Sequence, residues 1–150
     1  MADFTFDLVS PERRLASVAA REVLLPGSDG DMTAMPGHAP VITTLRPGLI
    51  RVVHERGVDE FVVSGGFAEV TATGVSVLAE QGFGRSEFTA EHHARLVEEA
   101  RTGLTAAQDI PNEPGPVDDA AKLLADMVAV GDHMAIGEAN TGPIRAPAPG

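Results

Sequence analysis

The 150-residue chain has no cysteine. That excludes a disulfide framework, a thiol nucleophile and a cysteine-ligated metal, and it suits a reducing compartment. No apolar run approaches the roughly 18 residues a membrane span needs. Met1 to Ser10 also lacks a basic segment leading into an apolar one. The expectation is a soluble, unprocessed chain with no direct membrane insertion. Positive charge is scarce too: 11 Lys and Arg stand against 22 Asp and Glu, a net charge of −11. Such a surface repels polyanions and anionic headgroups, so nucleic acid is not an expected partner. Residues 1–86 hold 7 basic and 11 acidic groups and residues 87–150 hold 4 and 11, so the second part is the more acidic.

Short strands divided by turn residues fill the first 80 positions. Phe4, Phe6 and Leu8 alternate with Thr5 and Asp7, the period-2 pattern of a half-buried strand. Further strands are expected at Arg21 to Leu25, Val41 to Leu45, Leu49 to Val53, Phe61 to Val63, Phe67 to Thr71 and Val75 to Leu78. Many short strands at close spacing indicate a sandwich or barrel rather than βαβ units. Between the second and third of them, "PGSDGDMTAMPGHAP" reads as a loop punctuated by Gly and Pro. Gln81 to Gly84 reads as another loop. Thr89 then caps a helix expected from about Ala90 to Thr102, with Val97, Ala100 and Leu104 as its apolar stripe. Pro111, Pro114 and Pro116 interrupt the pattern, and Asp118 is expected to cap a second helix. Ala120, Leu123, Leu124, Met127 and Val130 share one face of it. The predicted layout is an all-β domain over 1–86, a two-helix antiparallel hairpin over 87–136 and a disordered tail over 137–150.

Candidate chemistry is sparse. His38 is the first residue to test for acid–base work, which needs a second titrating group and a pocket; a structural or interface histidine is the better reading. Ser28 to Asp31 hints at calcium, but the stretch lacks the glutamate that closes an EF-hand loop. His92 and His93 are about 100° apart on a helix and cannot share a metal as an i, i+4 pair can, so they read as two solvent-facing side chains. Ser64-Gly65-Gly66 lacks the lysine and helix of a phosphate loop and reads as a strand-connecting turn. No catalytic, cofactor or metal residue emerges. The residues alone suggest a binding part rather than an enzyme.

A set of motifs in register is more specific. Gly27, Gly30, Gly37, His38, Ala39 and Pro40 are followed by "LRPG" at Leu45 to Gly48 and "SGGFAEV" at Ser64 to Val70. This arrangement resembles the epsilon subunit of bacterial F-type ATP synthases (delta in mitochondrial nomenclature), strongly over residues 3–80 and less so beyond. The resemblance implies a β-sandwich of about ten strands plus a two-helix hairpin, with no catalytic residue and no cofactor. It implies a central-stalk rotor subunit that binds the gamma subunit, rests on the c-subunit ring and couples proton flow to ATP synthesis. It further implies peripheral attachment at the cytoplasmic face of the bacterial inner membrane. Gly27, Ser28, Asp29, Gly30, Asp31 and Met32, with His38, would meet the polar loops of the ring, and a cysteine at position 31 is expected to crosslink there. The stand-alone alternative is a β-sandwich protein-binding module.

Two departures shape the expectations for the hairpin. Some family members bind ATP through an "I/L-D-x-x-R-A" motif, where this chain has Thr89 and His92 in place of Asp and Arg. Without the guanidinium fork, nucleotide binding is not expected. In some members a basic second helix also enters the catalytic head of alpha and beta subunits and blocks hydrolysis. Here Lys122 faces Asp118, Asp119, Asp126 and Asp132, so weak or no self-inhibition is expected, with another subunit restraining hydrolysis.

Overall fold

Alternation dictates the first strand: β1 (Thr5–Val9) turns Phe6 and Leu8 into the interior and leaves Thr5 exposed. The computed structural model describes residues 4–109 and 114–134. Nine strands follow: β2 (Arg14–Ala19), β3 (Glu22–Gly27), β4 (Gly30–Ala34), β5 (Val41–Leu45), β6 (Gly48–His54), β7 (Gly57–Val63), β8 (Gly66–Thr71), β9 (Gly74–Ala79) and β10 (Gly82–Gly84). A 3₁₀ turn at Arg85–Glu87 leads to α1 (Ala90–Gln108) and α2 (Pro114–Met134). The chain divides into two compact units, Met1–Phe88 and Thr89–Gly150. The tail expected to be disordered from residue 137 lies outside the described residues.

The strands run in the order β10-β7-β6-β3-β5-β8-β9-β1-β2, with β4 added to β3. Neighbours are antiparallel except β1 and β9, which pair in parallel. Leu15 of β2 packs over Gly82 of β10, so the two ends of the order approach each other. The result is an all-β sandwich of ten strands closing toward a barrel. Its interior is filled by Phe4, Phe6, Leu8, Val23, Leu25, Ile50, Val52, Val63, Val70, Val75 and Val77. Phe6 stacks on Phe61 with ring centroids 5.9 Å apart. This packing is the main stabilising term of the unit, as apolar burial is in most small domains.

Three strands carry no clear alternation, and the sequence pattern misses them. β2 spaces its two large apolar residues, Leu15 and Val18, three apart among Arg14, Ser17 and alanines, β10 is Gly-Phe-Gly, and β4 lies inside the stretch read as a loop. Each is held by pairing to a stronger neighbour rather than by its own propensity.

In the helical unit, the Thr89 hydroxyl accepts from the His92 amide and the Thr89 amide donates to His92 Nδ1, both at 3.2 Å. This reciprocal cap fixes the start of α1. The helix continues to Gln108, past the expected end at Thr102, because its buried stripe is Leu96, Ala100 and Ala107 rather than one centred on Val97. The proline stretch also behaves differently from the expectation. Pro114 and Pro116 lie in the first turn of α2, where a missing N–H leaves no hydrogen bond unmade. Asp118 is therefore inside the helix and not its cap. Met127 and Val130 are buried, whereas Leu123 is exposed. His93 corrects another expectation: its Nε2 donates to the Met127 carbonyl at 2.9 Å, tying the start of α1 to the far part of α2. The hairpin is antiparallel.

Candidate functional site

The punctuated stretch is a hairpin. β3 and β4 pair from Val23↔Ala34 to Gly27↔Gly30, which leaves Ser28-Asp29 as a two-residue turn. Gly27 lies in β3 and Gly30 to Met32 in β4, so the expected loop is the tip of two paired strands. Turns this tight need a left-handed residue, and Gly30 supplies it with φ 140°. A side chain at Gly27 would put its Cβ 2.6 Å from the Gly30 carbonyl oxygen, so only glycine allows the strands to close.

The neighbouring β5–β6 turn straps the tip. The Arg46 amide donates to the Pro26 carbonyl at 3.0 Å. Its guanidinium donates from Nη1 to the Gly27 carbonyl at 2.6 Å and from Nη2 to Asp31 Oδ1 at 2.5 Å. Ser28 is held by Thr44 twice: amide to carbonyl at 2.9 Å and hydroxyl to hydroxyl at 2.7 Å. Pro26 sits so close to Gly48 that a Cβ there would lie 2.8 Å away. Asp29 is exposed at the apex, and Met32 is half-buried behind it.

Six of the seven expected contact residues therefore come together. The seventh does not. His38 follows the opposite end of β4, about 13 Å along the strand at roughly 3.3 Å per residue. There the Gly37 amide donates to the Ala72 carbonyl at 2.9 Å, beside the β8–β9 turn. The His38 amide bonds the Met35 carbonyl, and its Nδ1 donates to the Ala39 carbonyl at 2.6 Å. These bonds make it a turn-holding residue.

A second surface adjoins the tip and was not singled out from sequence. Register places Thr44, Phe67, Leu78 and Val9 side by side across β5, β8, β9 and β1. Phe67 is 56% exposed, Leu78 62%, and Ile42 on the next row 72%. That next row carries Ile42, Glu69, Ser76 and Asp7, so carboxylates border the apolar strip. The signal was present in "GFAEVT": Ala68 and Val70 alternate inward, which forces Phe67 outward with Glu69. Large apolar side chains grouped in this way on a sheet face mark an interaction surface. The row ends at Thr44, which also bonds Ser28.

Other candidates resolve into structural roles. His54 Nδ1 accepts from the Arg56 amide at 3.1 Å, so Nε2 carries the proton. That nitrogen lies 3.2 Å from Asp59 Oδ2, outside hydrogen-bonding geometry. Ser64-Gly65 joins β7 to β8, with the Ser64 amide bonded to the Gln81 carbonyl and its hydroxyl accepting the Gln81 amide. Among the described residues, no three of His, Asp and Glu gather to hold a metal ion.

Comparison with known proteins now decides the family. The model for the ATP synthase Delta/Epsilon chain beta-sandwich domain matches residues 3–83. The chain belongs to this family. The ATP synthase epsilon chain of Ruegeria sp. (strain TM1040) is 56% identical over 137 residues, covering 91% of this chain and 100% of the relative. That of Rhodobacter capsulatus is 58% identical over 135 residues, covering 89% and 98%. A chain in the Euglena gracilis mitochondrial ATP synthase, OSCP/F1/c-ring in rotational state 1, is 25% identical with a TM-score of 0.60, over 86% of this chain and 81% of its own length. A chain in the Tetrahymena thermophila mitochondrial ATP synthase central stalk/c-ring is 14% identical and shares the fold, with a TM-score of 0.57 over 87% and 95%.

Proposed function

We propose that this epsilon-family chain is a non-catalytic central-stalk rotor subunit of a proton-translocating F-type ATP synthase. It links the gamma subunit to the c-subunit ring and couples proton flow to ATP synthesis. One observation carries the reading: a strapped hairpin tip and an exposed apolar strip meet at Thr44 on one sheet. A link between two rotor parts must transmit torque, so its contact loop has to be held in shape. Arg46, Thr44 and Gly48 provide that restraint at the tip. The apolar strip suits a broad protein partner, here gamma, and the polar tip suits the loops of the ring.

The protein acts as a peripheral component at the cytoplasmic face of the inner membrane. Among the described residues no helix is long and apolar enough to cross a membrane, so attachment runs through the ring. Nucleotide binding at the start of α1 is absent in this reading, because Thr89 and His92 are engaged in capping each other. Self-inhibition is weak, because Lys122 of α2 is already paired with Asp126 at 2.8 Å. The catalytic head is thus at most a weak partner of the hairpin.

Tagged full-length protein should pull gamma and ring subunits from detergent-solubilised membranes of its own cells. Recovery of neither would overturn the rotor reading and leave a stand-alone binding module.

A further inference from the structure

Two carboxylates flank Gly30, and their surroundings differ. Asp31 is bound by Arg46, whose fork also holds the Gly27 carbonyl, the last residue of β3 before the turn. Asp29 sits at the apex, exposed, with no ion pair or hydrogen bond among the described residues. Arg46 itself is well covered, its side chain 27% exposed against 77% for Asp31. A planar guanidinium with several fixed donors can bridge a carbonyl and a carboxylate at once; a lysine ammonium reaches them as a single point charge. Two effects follow from one side chain. The turn is fixed in direction, and the charge of Asp31 is offset locally.

We propose that Arg46 is a positioning residue: it locks the hairpin tip and compensates Asp31, so that Asp29 is the carboxylate presented to the partner. The group that answers it is a cationic donor on a polar loop of the ring. This inference rests on the proposed docking of the tip on the ring. A net-acidic tip in which both aspartates were free would attract cations without direction. With Asp31 offset, the attraction is concentrated at the apex of the turn.

Two measurements on the full-length chain test it. First, the chain is titrated onto membranes stripped of the peripheral ATP synthase sector, at several salt concentrations. Asp29→Asn should weaken binding about tenfold, as loss of a charge-assisted hydrogen bond does, and flatten the salt dependence. Asp31→Asn should leave the salt dependence near that of the parent. Arg46→Met should weaken binding, and Arg46→Lys should restore part of it. The opposite pattern, with salt dependence lost at Asp31 and kept at Asp29, overturns the inference while the docking reading stands. Failure of the parent chain to bind these membranes overturns the docking reading and the inference with it. Second, because the chain has no native cysteine, a nitroxide on Asp29→Cys reports tip mobility without any partner. Adding Arg46→Met should narrow its spectrum clearly, and Arg46→Lys less so. An unchanged spectrum overturns the positioning role whatever the membranes do.

Discussion

Gly27 and Gly30 flank the two-residue β3–β4 turn, and each does a different job. Gly30 supplies the left-handed turn conformation, and Gly27 lets two backbones approach to a distance no Cβ tolerates. In Gly27→Ala the obstacle is a backbone carbonyl 2.6 Å away, which cannot swing aside as a side chain could. The tip must open, and Arg46 then loses one of its two acceptors. The expected cost is about 1–3 kcal/mol, read as a lower midpoint in thermal or urea unfolding of the full-length chain. An unchanged midpoint would mean the tip relaxes freely. Phe67 and Leu78 make the opposite case. Both are more than half exposed, so Phe67→Ser with Leu78→Ser should leave stability within about 0.5 kcal/mol. The same pair should reduce co-purification with gamma sharply; full recovery of gamma would remove the apolar strip from the interface.

The helical hairpin depends on a contact that opposes helix propensity. Gly131 in α2 costs roughly 1 kcal/mol relative to alanine, yet a Cβ there would lie 2.3 Å from the His93 ring. That ring is fixed by its bond to the Met127 carbonyl. Overpacking of about 1–3 kcal/mol and loss of a hydrogen bond worth about 1 kcal/mol together outweigh that gain in propensity, so Gly131→Ala should destabilise the hairpin by about 1 kcal/mol or more. Adding His93→Ala should make the alanine at 131 favourable. Helix content followed on heating checks both; a stabilising single Gly131→Ala would contradict the packing. Sequence made some elements plain and hid others for the same reason. β1, β8 and β9 alternate cleanly because one face is core and the other is not. β2 and β4 pair with the strand just before them and β10 with β7, but none shows a clean apolar–polar alternation, so local pattern was silent on them. Pro114 and Pro116 looked like helix breakers, although the first turn of a helix is where proline is harmless. Of the site, the turn glycines were readable, whereas the Arg46–Asp31 bond spans fifteen residues and belongs to the folded sheet. His38 was grouped with the tip by motif order alone, and the length of β4 separates them.

For the whole molecule, the division at Phe88 and Thr89 gives a clean way to ask what the hairpin does. Phe88 is buried and packs on Phe83 at 5.3 Å, and Glu87 is bonded to Arg13 at 2.6 Å, so both belong to the sandwich. A truncation placed after Phe88 keeps these contacts. With the assembled enzyme, that truncation should change ATP hydrolysis little, because α2 has its one lysine paired internally and little positive charge to offer an acidic head. A large rise in hydrolysis would reveal self-inhibition through other contacts. In the proposed function, the hairpin tip rides on the ring as part of one rotor. That arrangement is tested most directly by joining Asp29→Cys to a cysteine in the polar loop of the ring within the assembled complex. A high yield of crosslink with ATP-driven proton pumping retained is expected, since two parts that turn together lose nothing by being tied. No crosslink in the intact complex, or a crosslink that stops pumping, would contradict that arrangement.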